Sequence, residues 1–278
     1  MTTQSLPLRS GPRATGAPAF ARAFTHSGFL TARLLRTLSR QPAYFGFLLI
    51  QPVIWLLLFG QLFKNVVHIP GFAPTGSYLE FITPGVIVMT ALFNSGWSGT
   101  VYIEDMNRGV MDRLLASPVR RGSMIAGTLT YQAITTVLQT LVIFGIAYAA
   151  GARFAGAGLG IATTLLAAAL IAIIIASFSN AVALLVRQQE ALIGISQFIV
   201  LPLQFLSSGI MDTRLSPAWV RQVARFNPVD WAVVASREAL SGSPDWGVLG
   251  SRLGLLVAVA AVLSFLATRA FRTYQRSI

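Results

Sequence analysis

Apolar residues run nearly unbroken through six stretches, at about 43–63, 79–102, 122–150, 158–186, 191–210 and 247–268. Each is close to the roughly 20 residues that a helix needs to cross a bilayer, so six transmembrane helices are expected. Pro52, Pro84 and Pro202 fall inside the first, second and fifth. Proline is tolerated in such helices where neighbours can satisfy the freed backbone groups. The intervals have patterns of their own. In 26–41, Phe29, Leu30, Leu34, Leu35 and Leu38 share one helical face while Arg33, Arg36 and Arg40 lie off it. A basic amphipathic helix before a span fits the membrane interface, with a plain topology anchor as the alternative.

The stretch from Glu104 to Arg121 is the longest charged interruption between apolar runs, with four arginines and three acids. Met106, Val110, Met111, Leu114 and Leu115 make one apolar stripe, which predicts a short amphipathic helix. Asp105 is the expected N-cap, and Ser117-Pro118 the stop, because the residue before proline is pushed out of helical geometry. This helix is expected to dock a soluble partner. Residues 211–246 are too long and too apolar for an ordinary loop. Trp219, Val220, Val223 and Phe226 mark one half-helix, Asn227-Pro228 a break, and Trp231, Val233, Val234 and Leu240 a second. A re-entrant pair at the outer leaflet is expected, with Trp219 and Trp231 at headgroup depth. A seventh span over 229–241 is the alternative; the run is short and contains Asp230, Arg237 and Glu238. Residues 1–25 lack an apolar period and are rich in Pro, Gly, Ser, Thr and Ala, so a disordered tail is expected ahead of a membrane domain over 26–278.

Composition agrees with this pattern. Of the 278 residues, 54% are hydrophobic and 11% charged, and the mean hydropathy is +0.67. Soluble domains carry about 25% charged residues. The net charge of +12 does not point to nucleic acid, because the arginines are dispersed between apolar runs without an aromatic platform. They sort by side instead. Both termini, the 103–121 loop and Arg187 hold fourteen basic residues, and the opposite side holds seven, partly neutralised by Asp212, Asp230, Glu238 and Asp245. The excess places both termini and the 103–121 loop on the cytoplasmic side.

Candidate chemistry is sparse. There is no cysteine, and the only lysine, Lys64, lies in QLFKNV, outside any P-loop pattern. An ATP site is therefore not expected in this chain. His26 and His68 are predicted on opposite sides and cannot share a metal, so no metal site is expected. No acid falls at mid-depth of a span, which disfavours ion-coupled transport. The polar residues within spans are neutral: Gln51, Asn94, Ser95, Ser98, Gln132, Gln139, Asn180, Gln197 and Gln204. Gln51, Asn94, Ser98, Gln197 and Gln204 are candidates for a translocation path; bridging packed helices is the alternative role for any one of them. Ala167-Ala168-Ala169, Ala172 and Ala176 permit close helix contact in the fourth span.

The cytoplasmic stretch resembles the loop of ABC-2 type exporter membrane subunits. In that family an acid ends the second span and a glycine, two hydrophobics, an acid, an arginine and a later Ser-Pro follow. Here these are Glu104, Gly109, Val110, Met111, Asp112, Arg113, Leu114, Ser117 and Pro118. Pro202 to Gly209, Ser216-Pro217-Ala218-Trp219, Asn227-Pro228 and Arg237 resemble the family's fifth span and outer re-entrant helices. The match covers about 26–278, and the daunorubicin-resistance branch is the most similar. The resemblance implies an all-α, type V exporter-like membrane fold. It implies an N-terminal connecting helix (Arg33, Arg36, Arg40) and an ATPase-coupling segment comprising Glu104, Asp105, Arg108, Gly109, Asp112, Arg113, Leu114, Ser117 and Pro118. It also implies a smaller contact at Arg187–Glu190 and an outer gate at Trp219, Asn227 and Pro228. Two copies of an ATP-binding subunit, carrying ATP and Mg, and a second permease copy or paralogue would be the partners, with membrane lipid around them and spans one, two and five at the permease interface. The expected function is non-catalytic: outward passage of an apolar or amphipathic substrate such as a drug, antibiotic, lipid or glycolipid. The alternative is an ATP-independent secondary transporter or an intramembrane enzyme.

Overall fold

A computed structural model describes residues 19–65, 77–116, 121–210 and 216–274. Every regular element among them is helical: α1 Ala19–Ser39, α2 Pro42–Leu62, α3 Tyr78–Gly96, α4 Thr100–Asn107, α5 Val110–Ala116, α6 Arg121–Ala149, α7 Ala157–Val186, α8 Gln189–Phe205, α9 Ala218–Ala224, α10 Pro228–Leu240 and α11 Trp246–Tyr274. Helix α1 begins at Ala19, so the last seven positions of the expected tail are helical; residues 1–18, Ser117, Pro118 and His68 lie outside the described residues.

Five helical segments are long and apolar enough to span a membrane: α2, α3 continued by α4, α6, α7 and α11. The fifth expected span is shorter than its apolar run. Helix α8 has 17 residues and ends at Phe205, and the chain over 206–210 is not helical. Seventeen residues is the lower limit for crossing. The second span is also interrupted, at Trp97–Gly99, between α3 and α4.

Helix α7 is the axis of the bundle and packs against α3, α6, α10 and α11. Its small residues make this possible: Ala167, Ala168, Ala172 and Ala176 have no exposed surface, and small side chains let helix backbones approach closely where hydrophobic driving force between helices is weak. Helix α2 is at the other extreme. Only 11% of its apolar window is buried within the chain, against 78% for α3–α4. Phe47, Ile50, Ile54, Leu58 and Leu62 are open on α2, and Phe198 and Phe205 on α8.

Helix α10 corrects the expectation for the outer pair. It is set into the bundle against α3, α7 and α11 rather than resting on it. Trp231 is buried in the main core, and its indole Nε1 donates to the Arg225 carbonyl at 2.7 Å. Trp219, on α9, is 60% exposed.

Candidate functional site

Three places hold the residues singled out from the sequence: the arginine-rich end, a cavity above it, and the opposite end.

At the arginine-rich end the single helix expected from Met106 to Leu115 is two. Helix α4 runs to Asn107, Gly109 takes a left-handed conformation (φ 65°) and α5 starts at Val110. A residue with a Cβ adopts that φ only at a cost, so glycine sets the corner. Asp105 is therefore not an N-cap; it lies inside α4. Its carboxylate accepts from Arg33 Nη2 of α1 at 2.8 and 2.7 Å, which joins two segments 72 positions apart. Thr31 fastens the same helix to α6 by donating from Oγ1 to the Gly127 carbonyl at 3.0 Å. Helix α1 is thus held between α4 and α6.

The apolar side of α4–α5 is used by its own chain. Met106, Met111 and Leu114 pack with Tyr102, Met124, Ile125 and Phe271. The polar side faces out: Glu104, Arg108, Asp112 and Arg113 are exposed. Glu104 and Arg108 form an i,i+4 pair at 3.4 Å, a surface contact of small energetic weight. Arg36 and Arg40 are exposed at the end of α1. Arg187 has a left-handed backbone (φ 57°) at the turn into α8. The outward surface is consequently charged and mixed in sign, and a partner meeting it would meet polar groups.

Above this end lies a cavity of about 660 Å³ lined by residues of α1, α2, α3, α4, α6 and α8. Gln51, Asn94, Ser98 and Gln197, four of the five path candidates, line it together with Gln132 and Gln139. Asn94 Nδ2 donates to Gln139 Oε1 at 2.9 Å, so this pair bridges helices as well. Tyr44, Phe47, Trp55, Phe93, Trp97 and Tyr131 supply aromatic wall, and no lining residue carries a charge. Along α2 the wall runs from Tyr44 to Trp55, about 17 Å at 1.5 Å per residue and so about half of a bilayer core. Phe47, Ile50, Ile54 and Trp97 are each about half exposed or more, which leaves the cavity open laterally.

Gln204 is elsewhere. It is buried near the end of α8, and neither amide atom has a partner among the described residues. The segment that follows is secured by side chains in place of helix bonds. Asn227 Nδ2 donates to the Leu203 and Leu206 carbonyls at 2.7 and 2.8 Å, while its Oδ1 caps α10 by accepting from Val229 N at 2.9 Å. The Ser208 amide donates to Asp230 Oδ1 at 2.8 Å. Arg237 Nη2 donates to the Gly209 carbonyl at 3.3 Å, its Nε to the Phe81 carbonyl at 3.2 Å, and the guanidinium covers the Phe81 ring at 3.7 Å. Tyr78 Oη donates to the Ile210 carbonyl at 3.2 Å. Backbone groups in an apolar slab must be satisfied internally, and this set partners the Ser208 amide and the Leu203, Leu206, Gly209 and Ile210 carbonyls. Of its members, Asn227 and Arg237 were named in the sequence resemblance and Pro228 opens α10 beside Asn227; Tyr78 was not named, and Asp230 entered as a charge alone. An acid and an arginine i,i+7 apart in an otherwise apolar stretch were the available signal.

Comparison with known proteins agrees with this architecture. A family model described as ABC-2 type transporter matches residues 26–240. The daunorubicin resistance ABC transporter permease protein DrrB1 of Streptomyces coeruleorubidus is 27% identical over 268 residues, covering 95% of this chain and 91% of that protein. A doxorubicin resistance ABC transporter permease protein, DrrC, of Mycobacterium tuberculosis is 25% identical over 264 residues, with 94% and 93% covered. The ycf38 transport permease of Porphyra purpurea is 28% identical over 221 residues, with 78% and 74% covered. With its helical bundle, apolar spans and matched segment taken together, the chain belongs to the ABC-2 type transporter family and is a membrane-spanning permease of an ABC transport system.

Proposed function

We propose that the chain is the non-catalytic permease of an ATP-driven exporter, working with two copies of a separate ATP-binding subunit that carry ATP and Mg. The observation that carries the reading is the stacking of two features. An outward, mixed-charge surface at Glu104, Arg108, Asp112 and Arg113 lies on the short helices that continue directly into the wall of an uncharged cavity. The Arg33–Asp105 contact ties that surface to α1. Nucleotide-driven movement of a partner seated there would be delivered to α4 and α1 together. The arginine-rich end faces the cytoplasm of a bacterial plasma membrane; the basic excess supports that orientation.

The cavity supports an apolar or amphipathic substrate with neutral hydrogen-bonding groups. Amides offer both donors and acceptors, aromatic rings offer large faces, and nothing in the lining would neutralise a fixed charge by ion pairing. A second permease, identical or related, would cover the open faces of α2 and α8. Helix α3 is enclosed by its own chain and leaves the interface expected of span two to those neighbours. Trp219, Asn227 and Pro228 belong to the outer gate of the path.

The test is reconstitution with the ATPase partner and measurement of transport and ATP turnover. Replacing Asp112 and Arg113 together by alanine is expected to leave insertion and ATP turnover within about twofold, because both groups are exposed, and to abolish transport. Native transport by this variant, or transport by the permease alone, rejects the reading.

A further inference from the structure

We propose that Ser179, on α7, is the positioning residue of a hinge in the second span, at the break between α3 and α4. In an uninterrupted helix the Gly99 amide would bond to the Ser95 carbonyl and the Thr100 amide to the Gly96 carbonyl. Neither bond forms. Ser98 N takes the Ser95 carbonyl at 3.1 Å and Thr100 N takes that of Trp97 at 3.1 Å. Among the peptide groups that lose their i,i+4 partners at the break are a donor, Gly99 N, and an acceptor, the Gly96 carbonyl. One hydroxyl serves both: Ser179 Oγ accepts from Gly99 N at 3.0 Å and donates to the Gly96 carbonyl at 2.7 Å. Ser179 has no exposed surface, so water is not the alternative partner. A Cβ at position 99 would lie 2.5 Å from the Ser179 carbonyl oxygen and 2.7 Å from Ala183 Cβ, so α7 and the break are in direct contact and the bond geometry cannot be met from farther away.

The place of this joint gives it a role. On its upper side Asn94 lies in the cavity wall, and Trp97, Ser98, Thr100 and Val101 continue that wall across the break. On its lower side α4 is an eight-residue lever, about 12 Å long, that carries Asp105 and its contact to Arg33. Rotation of α4 at 97–99 moves the cavity floor without requiring α3, fixed in the core, to move. Ser179 keeps the two stranded peptide groups partnered and so holds the lever's pivot in one position on α7. The ATP-driven reading above supplies what turns the lever, and the pivot itself does not depend on it.

Three substitutions separate the hydroxyl from its shape: Ser179→Ala, Ser179→Val and Ser179→Thr. In the full-length chain in nanodiscs, hydrogen exchange at 97–103 is expected to quicken by about tenfold or more in the Ala and Val variants, as an unpartnered buried amide would, and to remain native-like in the Thr variant, which has the outline of valine. In the reconstituted complex, substrate moved per ATP hydrolysed is expected to fall by about tenfold or more in Ala and Val and to be restored in Thr, with the larger part of ATP turnover kept. Native exchange in Ser179→Ala, or equal exchange in the Val and Thr variants, overturns the pivot whatever transport does. Altered exchange with unchanged transport per ATP overturns its role in coupling. If exchange responds as expected while the native complex moves substrate without ATP, the pivot stands and the ATP-driven reading fails.

Discussion

Gly85 shows how a single atom decides stability here. It lies in the middle of α3, where alanine would improve helix propensity by about 1 kcal/mol. A Cβ there would sit 1.8 Å from the Gly209 carbonyl oxygen, a backbone atom that cannot rotate away. The steric term wins: Gly85→Ala is expected to destabilise by about 1–3 kcal/mol or more and to lower the thermal midpoint in detergent. Gly145→Ala, on the open face of α6 with nothing within 4 Å, is expected to leave the midpoint unchanged or raise it. A midpoint unaffected by Gly85→Ala would show that 206–210 does not press on α3. Asp105 makes the opposite case. Its contact with Arg33, whose side chain is 42% exposed, is worth about 0–1 kcal/mol to folding. Asp105→Asn is therefore expected to leave the midpoint within a degree or two while reducing transport, and the exchanged pair Arg33→Asp with Asp105→Arg is expected to recover it. A charge-exchanged variant as inactive as the single one would remove the contact from the mechanism.

The elements show a common solution to one problem. Helix α8, the α3–α4 junction and the α4–α5 corner each interrupt a helix, and a helix end leaves polar backbone groups without partners. At the charged end water can serve them. Elsewhere side chains do: Ser179 at the junction, and Asn227, Asp230, Arg237 and Tyr78 beyond α8. Asn227 performs two tasks, a cap on α10 and two bonds to the end of α8. Asn227→Ala loses all three and is expected to cost about 2 kcal/mol or more. Asn227→Asp keeps the cap acceptor and loses the two donors, so an intermediate midpoint is expected; equal losses in the two variants would mean that the bonds to α8 carry no weight. The element boundaries were legible where hydrophobic pattern alone decides them: α2, α6 and α7 start and end within a residue of the apolar runs, whereas α11 starts with its run and continues six residues past it. They were not legible at α8 and α4–α5. The segment 206–210, Leu-Ser-Ser-Gly-Ile, carries no charge or proline to close the run although the helix has ended, and the stripe through Met106 and Met111 continues across a corner that Gly109 makes, because both faces still pack on the same core.

For the whole molecule the unequal burial of the spans matters most. A lipid-facing helix and a partner-facing helix are equally apolar, so exposure alone does not separate α2 and α8 from α11. A second permease would cover α2 and α8. The chain has no cysteine, and single cysteines can be introduced without background. Phe198→Cys, at a residue 81% exposed on α8, is expected to form a disulfide-linked dimer in native membranes, whereas Phe265→Cys, 65% exposed on α11, is not. Linkage through Phe265 and none through Phe198 would place the second copy on the other side.

The hydrophobic pattern and the placement of arginines determined on their own that the chain is an all-helical membrane protein, and the run from Glu104 to Pro118 pointed to its family. These are legible because bilayer thickness and desolvation act on each segment separately. Which polar residues meet was decided by tertiary structure alone. Arg33 finds Asp105 across 72 positions and Ser179 finds Gly96 and Gly99 across about 80, because a neutral or paired polar group inside an apolar bundle is stable only opposite its partner, and that partner is set by how the helices pack.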